Sequence, residues 1–327
     1  MADILISENI RGDAVDTLSK RFNVVTMPDL WRDPAALAHE LQGTRALIIR
    51  NQTQITDDLL RTANDLIVLG RAGVGLDNVD LKACEKAGII VTSTPEQSTI
   101  SVAELAIGLM ISLARQIPQA DADTRQGNWN RQRFGGTELH GKTFGIIGAG
   151  RIGLATARRA QAFGMSILAH DPFVSRDNVF LAELNAEVVT FEDLLDRSDV
   201  ISCHLPASPQ TVRVINATAF ARMKPSALFI NTSRGEVVDE TALVDALKSN
   251  RIAGAALDVR EAEPPAKGEL ETLPNVLLMP HIAAFTREAQ IRVTRAICED
   301  VARVLDGERP MNAVVAPPAS RNGSKKG

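Results

Sequence analysis

The chain has 327 residues, 45% hydrophobic and 23% charged, a mixture that favours two globular domains and excludes global disorder. With 36 basic against 40 acidic residues the formal net charge is −4, so the surface lacks an electrostatic footprint for a nucleic-acid backbone. No apolar run reaches the length of a bilayer span, and the start, Met1-Ala2-Asp3-Ile4-Leu5-Ile6-Ser7, lacks the basic-then-apolar order of an export signal.

Short β-branched runs alternate with amphipathic stretches along the chain. Residues 4–7, 46–50, 66–70 and 89–92 read as buried strands, with helical patterns at 11–21 and 34–41 between them. This alternation predicts an α/β fold with parallel sheet and helices on its faces, because parallel strands need a long crossover. Residues 101–116, rich in Ala, Leu, Ile and Met, predict a helix that buries most of its circumference, between domains or subunits. A second strand series follows at 143–147, 166–170, 187–190, 200–204, 227–231, 254–257 and 276–279. Residues 287–305 predict a helix with Val293, Ile297, Val301 and Val304 on one apolar face. The tail from Pro310 to Gly327, rich in Pro, Ser, Gly and Lys, is expected to be mobile. Three cysteines far apart in the chain, Cys84, Cys203 and Cys298, suit reduced thiols in a cytoplasmic protein.

Gly148, Gly150 and Gly153 form G-x-G-x-x-G where the fifth predicted strand meets a helix. The first glycine permits the tight turn, the second lets backbone approach a pyrophosphate, and the third lets helix and strand pack closely. The helix N-terminus then offers N–H groups and a positive dipole end to phosphates. Glycine spacing by itself is weak; its strand–helix context and the acid after it give it weight. Asp171 ends the next strand, where a carboxylate accepts hydrogen bonds from an adenosine ribose diol and repels a 2′-phosphate. The expected cofactor is therefore NAD rather than NADP, and Arg176, the first basic candidate beyond Asp171, is too distant to clamp a 2′-phosphate. The bland reading is a tight turn with a solvated carboxylate.

Reactive side chains are expected at strand ends after that turn. Arg234 follows the run 227–231, Glu263 follows 254–257, and His281 follows 276–279 directly. Reduction of a 2-keto acid needs a cation to hold the carboxylate and polarise the carbonyl, and the Arg fork suits that. It needs an acid titrating near neutrality, the ordinary role of histidine, and a carboxylate to orient the imidazole and favour its protonated form. Arg234, His281 and Glu263 fill these roles in that order. Each alone has an ordinary reading as a surface ion pair, a structural histidine or a solvated loop carboxylate. Their placement at three successive strand ends is what argues for chemistry.

These residues, with Gly70-Arg71-Ala72-Gly73-Val74-Gly75-Leu76-Asp77-Asn78-Val79-Asp80, Leu113-Ala114-Arg115-Gln116-Ile117-Pro118-Gln119-Ala120 and Gly136-Thr137-Glu138-Leu139-His140-Gly141-Lys142-Thr143, resemble the D-2-hydroxyacid dehydrogenase family, most closely its phosphoglycerate-oxidising branch. The resemblance implies two doubly wound parallel-sheet domains: a Rossmann NAD domain at 99–286 and a flavodoxin-like substrate domain at 1–98 with 287–327. It implies that Arg234 meets the substrate carboxylate and carbonyl, that His281 transfers the proton and that Glu263 is its partner. Arg151, Ile152, Asp171, His204, Leu205, Pro206, Thr232 and Ser233 would line the cofactor with the three glycines, and Asp258 would meet the nicotinamide carboxamide. Backbone at Val74 and Gly75 would meet the substrate carboxylate, while Arg50 and Arg131 would hold a second anion. It further implies a homodimer or homotetramer joined through the NAD domain. The implied ligand is a small 2-hydroxy or 2-keto acid; no metal, nucleic acid or membrane partner is expected.

The chain also departs from that family. Glu96-Gln97-Ser98 replaces the usual Asn-Gly-Asn after Thr-Pro, which would put a carboxylate beside the pocket, and Arg260 replaces an aromatic, adding a cation near the site. No regulatory domain follows Leu305, so feedback through one is not expected. The substrate stays open among 3-phosphoglycerate, hydroxypyruvate or glyoxylate, and acids with a second anion such as sulfolactate. A reading from another class is an NADH-sensing scaffold like the corepressors that resemble this family and keep the triad; the absence of basic excess and of long tails favours the enzyme. Formate or phosphite oxidation is disfavoured by the glutamate beside the histidine and by the lack of long insertions.

Overall fold

The computed structural model describes residues 2–175 and 178–315. Arg176 and the tail beyond Val315 lie outside the described residues. The chain divides into two compact units, one built from the residues up to Ser98 and those from Thr286 onward, the other from Thr99–Phe285.

The first unit opens with β1 (Ile4–Ile6), β2 (Val24–Thr26), β3 (Ala46–Ile49), β4 (Val68–Arg71) and β5 (Ile90–Thr92). The second holds β6 (Thr143–Ile147), β7 (Ser166–His170), β8 (Glu187–Val188), β9 (Val200–Cys203), β10 (Leu228–Asn231), β11 (Gly254–Leu257) and β12 (Val276–Leu278). A last strand, β13 (Ala313–Val315), joins the first unit. The tail expected to be mobile therefore begins with an ordered segment: β13 pairs antiparallel with β5. Asp300 fixes its approach, accepting from the Met311 N–H at 2.6 Å and the Asn312 N–H at 3.1 Å.

The first sheet runs β13-β5-β4-β3-β1-β2, parallel apart from β13. Its strands β1 and β3 are buried throughout, as expected of a sheet covered on both faces. Helix Arg287–Leu305 lies over β4, with Val293, Ile297, Val301 and Val304 buried beneath it. A side chain at Gly70 would meet Val301 at 2.8 Å and Ile297 at 3.0 Å, so this glycine lets the helix seat close to the strand.

The second sheet runs β12-β11-β10-β9-β6-β7-β8, parallel throughout. The chain travels outward from β6 to β8, then restarts at β9 and travels the other way to β12. That reversal opens a crevice at the carboxyl ends of β6 and β9, where doubly wound sheets take their ligands. Helix Thr99–Arg115 buries Ala106, Ile107, Leu109, Met110, Leu113 and Ala114 within its own unit, against helix Arg151–Ala162 and strands β10 to β12. Its apolar circumference is thus used largely in the core of its own unit. No single helix among the described residues is long and apolar enough to cross a membrane.

Candidate active site

The switch point begins at Gly148, which follows β6 with φ of +96°. Its N–H donates to the His170 carbonyl at 2.8 Å, and a Cβ there would lie 2.7 Å from the His204 carbonyl oxygen. A Cβ at Gly153 would collide with the Gly148 carbonyl, so two of the three glycines are demanded by backbone packing rather than by any ligand. Gly150 has open space and caps helix Arg151–Ala162 without a side chain. That leaves the helix N-terminus without a side-chain cap among the described residues, an arrangement suited to a phosphate.

Asp171 follows β7 and turns toward this loop. Its Oδ2 accepts the Ala149 N–H at 2.9 Å and its Oδ1 the Phe173 N–H at 2.9 Å. On the other side of β6, the His204 N–H donates to the Ile147 carbonyl at 2.8 Å, and its Nε2 lies 2.9 Å from Ser202 Oγ. Burial drives the His204 imidazole down to about 4, so it is neutral at physiological pH. Leu205 and Pro206 continue the loop.

At the end of β10 the fully buried Asn231 clips the following turn. Its Oδ1 accepts the Ser233 N–H at 3.0 Å and hydroxyl at 2.7 Å, and its Nδ2 donates to the Arg234 carbonyl at 2.8 Å. Arg234 in turn donates from Nη1 to the Ser233 carbonyl at 2.7 Å. The buried Thr232 hydroxyl has no hydrogen-bond partner among the described residues. An orphaned polar atom at the end of β10, on the sheet edge that also carries the uncapped helix N-terminus and Asp171, fits a polar ligand such as a dinucleotide.

Two further strand ends complete the arrangement. Asp258, 1% exposed at the end of β11, accepts the Ile282 N–H on Oδ1 and the Ala283 N–H on Oδ2, each at 2.8 Å. Its carbonyl accepts the His281 N–H at 2.8 Å. Three bonds therefore pin the backbone around His281, which has φ of +54°, a left-handed conformation uncommon among non-glycine residues as a whole. His281 Nδ1 lies 2.6 Å from Glu263 Oε2. An ionised carboxylate only accepts, so the imidazole donates from Nδ1 and presents Nε2 elsewhere.

The electrostatics follow from that bond. The Glu263 hydrogen bond raises the His281 pKa above the ordinary imidazole value; burial opposes it, the charges of Glu263 and Asp258 support it, and Arg234 works against it. Burial pushes the Glu263 carboxyl up, but the His281 hydrogen bond, the Arg260 N–H and the positive charges of His281 and Arg234 hold it below the usual carboxylate range. Burial drives the Asp258 carboxyl above its ordinary value despite its two backbone donors. Arg234 is thus close enough for its charge to act on both members of the His281–Glu263 pair.

The structure brings the glycine turn, Asp171, His204, Thr232, Ser233, Arg234, Asp258, Glu263 and His281 to one edge of the second sheet. Arg151 and Ile152 open the helix that follows the turn. Arg131 lies in the same unit, exposed in the short turn Arg131–Phe134. Arg50, Val74, Gly75 and Glu96 belong to the first unit. Arg50 follows β3 directly, with its N–H donated to Glu8 at 2.8 Å, and burial lowers its pKa against the opposing pull of Glu8. Val74 and Gly75 follow β4, and Glu96 is exposed.

Arg260 overturns an expectation. Its guanidinium does not add a cation to the site but pairs with Glu240 at 2.9 Å and Glu271 at 2.7 Å, its side chain only 9% exposed. Asn231 was invisible as a site element in the sequence, although an Asn ending a strand before a turn is a signal for such a clip.

A family model described as D-isomer specific 2-hydroxyacid dehydrogenase, NAD binding domain, matches residues 107–283. The D-3-phosphoglycerate dehydrogenase of Archaeoglobus fulgidus is 42% identical over 316 residues, covering 96% of this chain and 59% of that protein. This chain therefore spans less than two thirds of that relative's length. A crystal structure of a Thermus thermophilus protein superposes with a TM-score of 0.89 at 35% identity, covering 95% of this chain and 99% of that one. The NADPH-dependent glyoxylate/hydroxypyruvate reductase of Sinorhizobium meliloti, solved with NADP and malonate, gives a TM-score of 0.86 at 31% identity, covering 98% of this chain and 99% of its own.

Proposed function

The chain belongs to the D-isomer specific 2-hydroxyacid dehydrogenase family, and from that membership we propose that it interconverts a D-2-hydroxy acid and its 2-keto acid with NAD. The observation that carries this reading is the 2.6 Å pair of His281 and Glu263 on the edge that also bears Arg234 and the glycine turn. A bound nicotinamide supplies the hydride in reduction and accepts it in oxidation. Arg234 grips the substrate carboxylate with its planar fork and draws charge from the carbonyl oxygen. His281 delivers a proton from Nε2 to that oxygen, or removes it in the opposite direction. Glu263 holds the imidazole in orientation and favours its protonated form. Asp258, by its bonds to Ile282 and Ala283, keeps the histidine backbone in place.

The substrate we favour is 3-phosphoglycerate, supported by the name of the Archaeoglobus relative and by Arg50 and Arg131 as donors for a distal phosphate. Val74 and Gly75 are proposed to meet the substrate carboxylate through their backbone. Free, buried Cys84, Cys203 and Cys298 suit a reducing cytoplasm, and we take the protein to act as a homodimer or homotetramer. The test is a panel of 2-keto and 2-hydroxy acids with NADH and NAD, repeated with Arg50→Ala and Arg131→Ala. Each substitution should lower kcat/KM for phosphate-bearing substrates by about 10- to 100-fold, the worth of a charge-assisted hydrogen bond, and leave glyoxylate unchanged. Uniform loss across the panel would overturn the phosphate assignment. Absence of turnover with every acid, alongside tight NADH binding, would favour a nucleotide-sensing scaffold.

Asp171 sets the cofactor preference in this reading. Asp171→Ala is expected to raise kcat/KM with NADPH relative to NADH by about tenfold or more, since a repulsive carboxylate leaves the ribose site. An unchanged ratio would assign the preference to another group.

A further inference from the structure

The segment 260–263 carries Glu263 to His281, and it is held from outside the site by charges that take no part in the reaction. Arg260 donates from Nε to Glu240 Oε1 at 3.0 Å and from Nη2 to Glu240 Oε2 at 2.9 Å, a two-pronged grip. Its Nη1 donates to Glu271 Oε1 at 2.7 Å. Glu240 is the first residue of helix Glu240–Lys248, and its Oε1 also accepts the Glu261 N–H at 2.7 Å. One carboxylate therefore holds both the side chain of Arg260 and the backbone of the next residue. Glu261 in turn pairs with Arg213.

The same segment touches both reactive groups. The Arg260 N–H donates to Glu263 Oε1 at 3.1 Å, while Glu263 Oε2 faces His281. On its other side it meets Gly235, the residue after Arg234, where a Cβ would lie 2.5 Å from the Glu261 nitrogen and still closer to the Arg260 carbonyl. Backbone packs on backbone there, so a shift of 260–261 is transmitted to the Arg234 turn.

We propose that Arg260 is a positioning residue for the reaction: clasped by Glu240 and Glu271, its guanidinium fixes the 260–263 segment so that Glu263 reaches His281. This rests on the reading of His281 and Glu263 as the proton-transfer pair. A guanidinium suits the task because it bridges two carboxylates on different elements at once, which the compact ammonium of lysine does poorly. The groups facing His281 are Glu263, Asp258 and Arg234; those facing the Arg260 side chain are Glu240 and Glu271. Loosening the clasp weakens the Glu263 contact and leaves Asp258 and Arg234 in place, so the proton affinity of His281 falls.

The test reads His281 directly, by NMR titration of the full chain labelled at its five histidines, with His281→Asn identifying the resonance. Glu263→Gln sets the full downward displacement of the midpoint. Arg260→Met is expected to give a large part of it, on the order of half a pH unit or more. Arg260→Lys should give less than Arg260→Met, and Glu271→Gln, which removes one arm of the clasp, a smaller displacement in the same direction. An unmoved midpoint in folded Arg260→Met overturns the proposal; if that variant does not fold, an unmoved midpoint in Glu271→Gln overturns it. The titration needs no substrate, so it decides the clasp even if no 2-hydroxy acid is turned over. A midpoint unmoved by Glu263→Gln would instead defeat the pairing on which the functional reading stands. With turnover in hand, the high-pH limb of kcat/KM for reduction should move with the midpoint, whereas a loss of folded protein lowers the profile without moving it.

Discussion

Replacing His281 with Asn is expected to lower kcat for keto-acid reduction by about 100- to 10,000-fold and to leave NADH affinity nearly unchanged. Asn is the informative substitution because it tolerates positive φ better than most residues, and His281 sits at +54°. The bonds from Ile282 and Ala283 to Asp258 do not involve the imidazole, so the backbone there has reason to persist. What is lost is a proton donor whose pKa the Glu263 hydrogen bond raises above the ordinary histidine value. The sign of the wild-type pH dependence follows. Reduction needs the imidazolium, so kcat/KM for the keto acid is level below the raised pKa and falls as pH rises through it. Oxidation needs the neutral imidazole and rises over the same range. His281→Asn should abolish that limb in both directions. Stopped-flow turnover together with NADH fluorescence titration checks this, and a matching loss of NADH binding would assign His281 a scaffold role instead.

Much of this arrangement is legible in the sequence because parts of it are dictated by local sterics. Parallel strands buried on both faces read as continuous apolar runs, which is why β1, β3 and β6 stand out. Gly148 and Gly153 stand out because their carbonyl neighbours leave no room for a Cβ. Arg234, Glu263 and His281 are visible as polar residues just after such runs. The elements that are not visible depend on partners distant in the chain. β13 is short and mostly exposed, and Asp300 draws its approach toward β5, a contact no local pattern announces. Asp258 looks like a ligand-facing acid, yet both its oxygens hold the backbone after His281. Arg260 looks like a cation near the site, and only the positions of Glu240 and Glu271 show that it points away. Side-chain direction at a strand end is set by tertiary packing, so residue type alone leaves it undetermined.

Arg234→Gln is expected to lower kcat/KM for the keto acid by about 100- to 10,000-fold, the loss of two charge-assisted hydrogen bonds at roughly 1.5–3 kcal/mol each. The turn that carries it should survive, since Asn231 grips the Arg234 carbonyl and the Ser233 N–H rather than the guanidinium. Arg234→Lys keeps the charge without the fork and should recover only part of the activity. A second consequence separates this role from general damage. Arg234 opposes protonation of His281, so removing its charge raises the His281 pKa further and moves the high-pH limb of reduction upward. That is the reverse of the displacement expected from Glu263→Gln, whose loss removes the group that favours the imidazolium. A pH profile that keeps its limb in place, with the loss confined to KM, would reduce Arg234 to a remote binding contact. A limb moving upward as kcat falls would place the guanidinium beside the reacting oxygen and the histidine together.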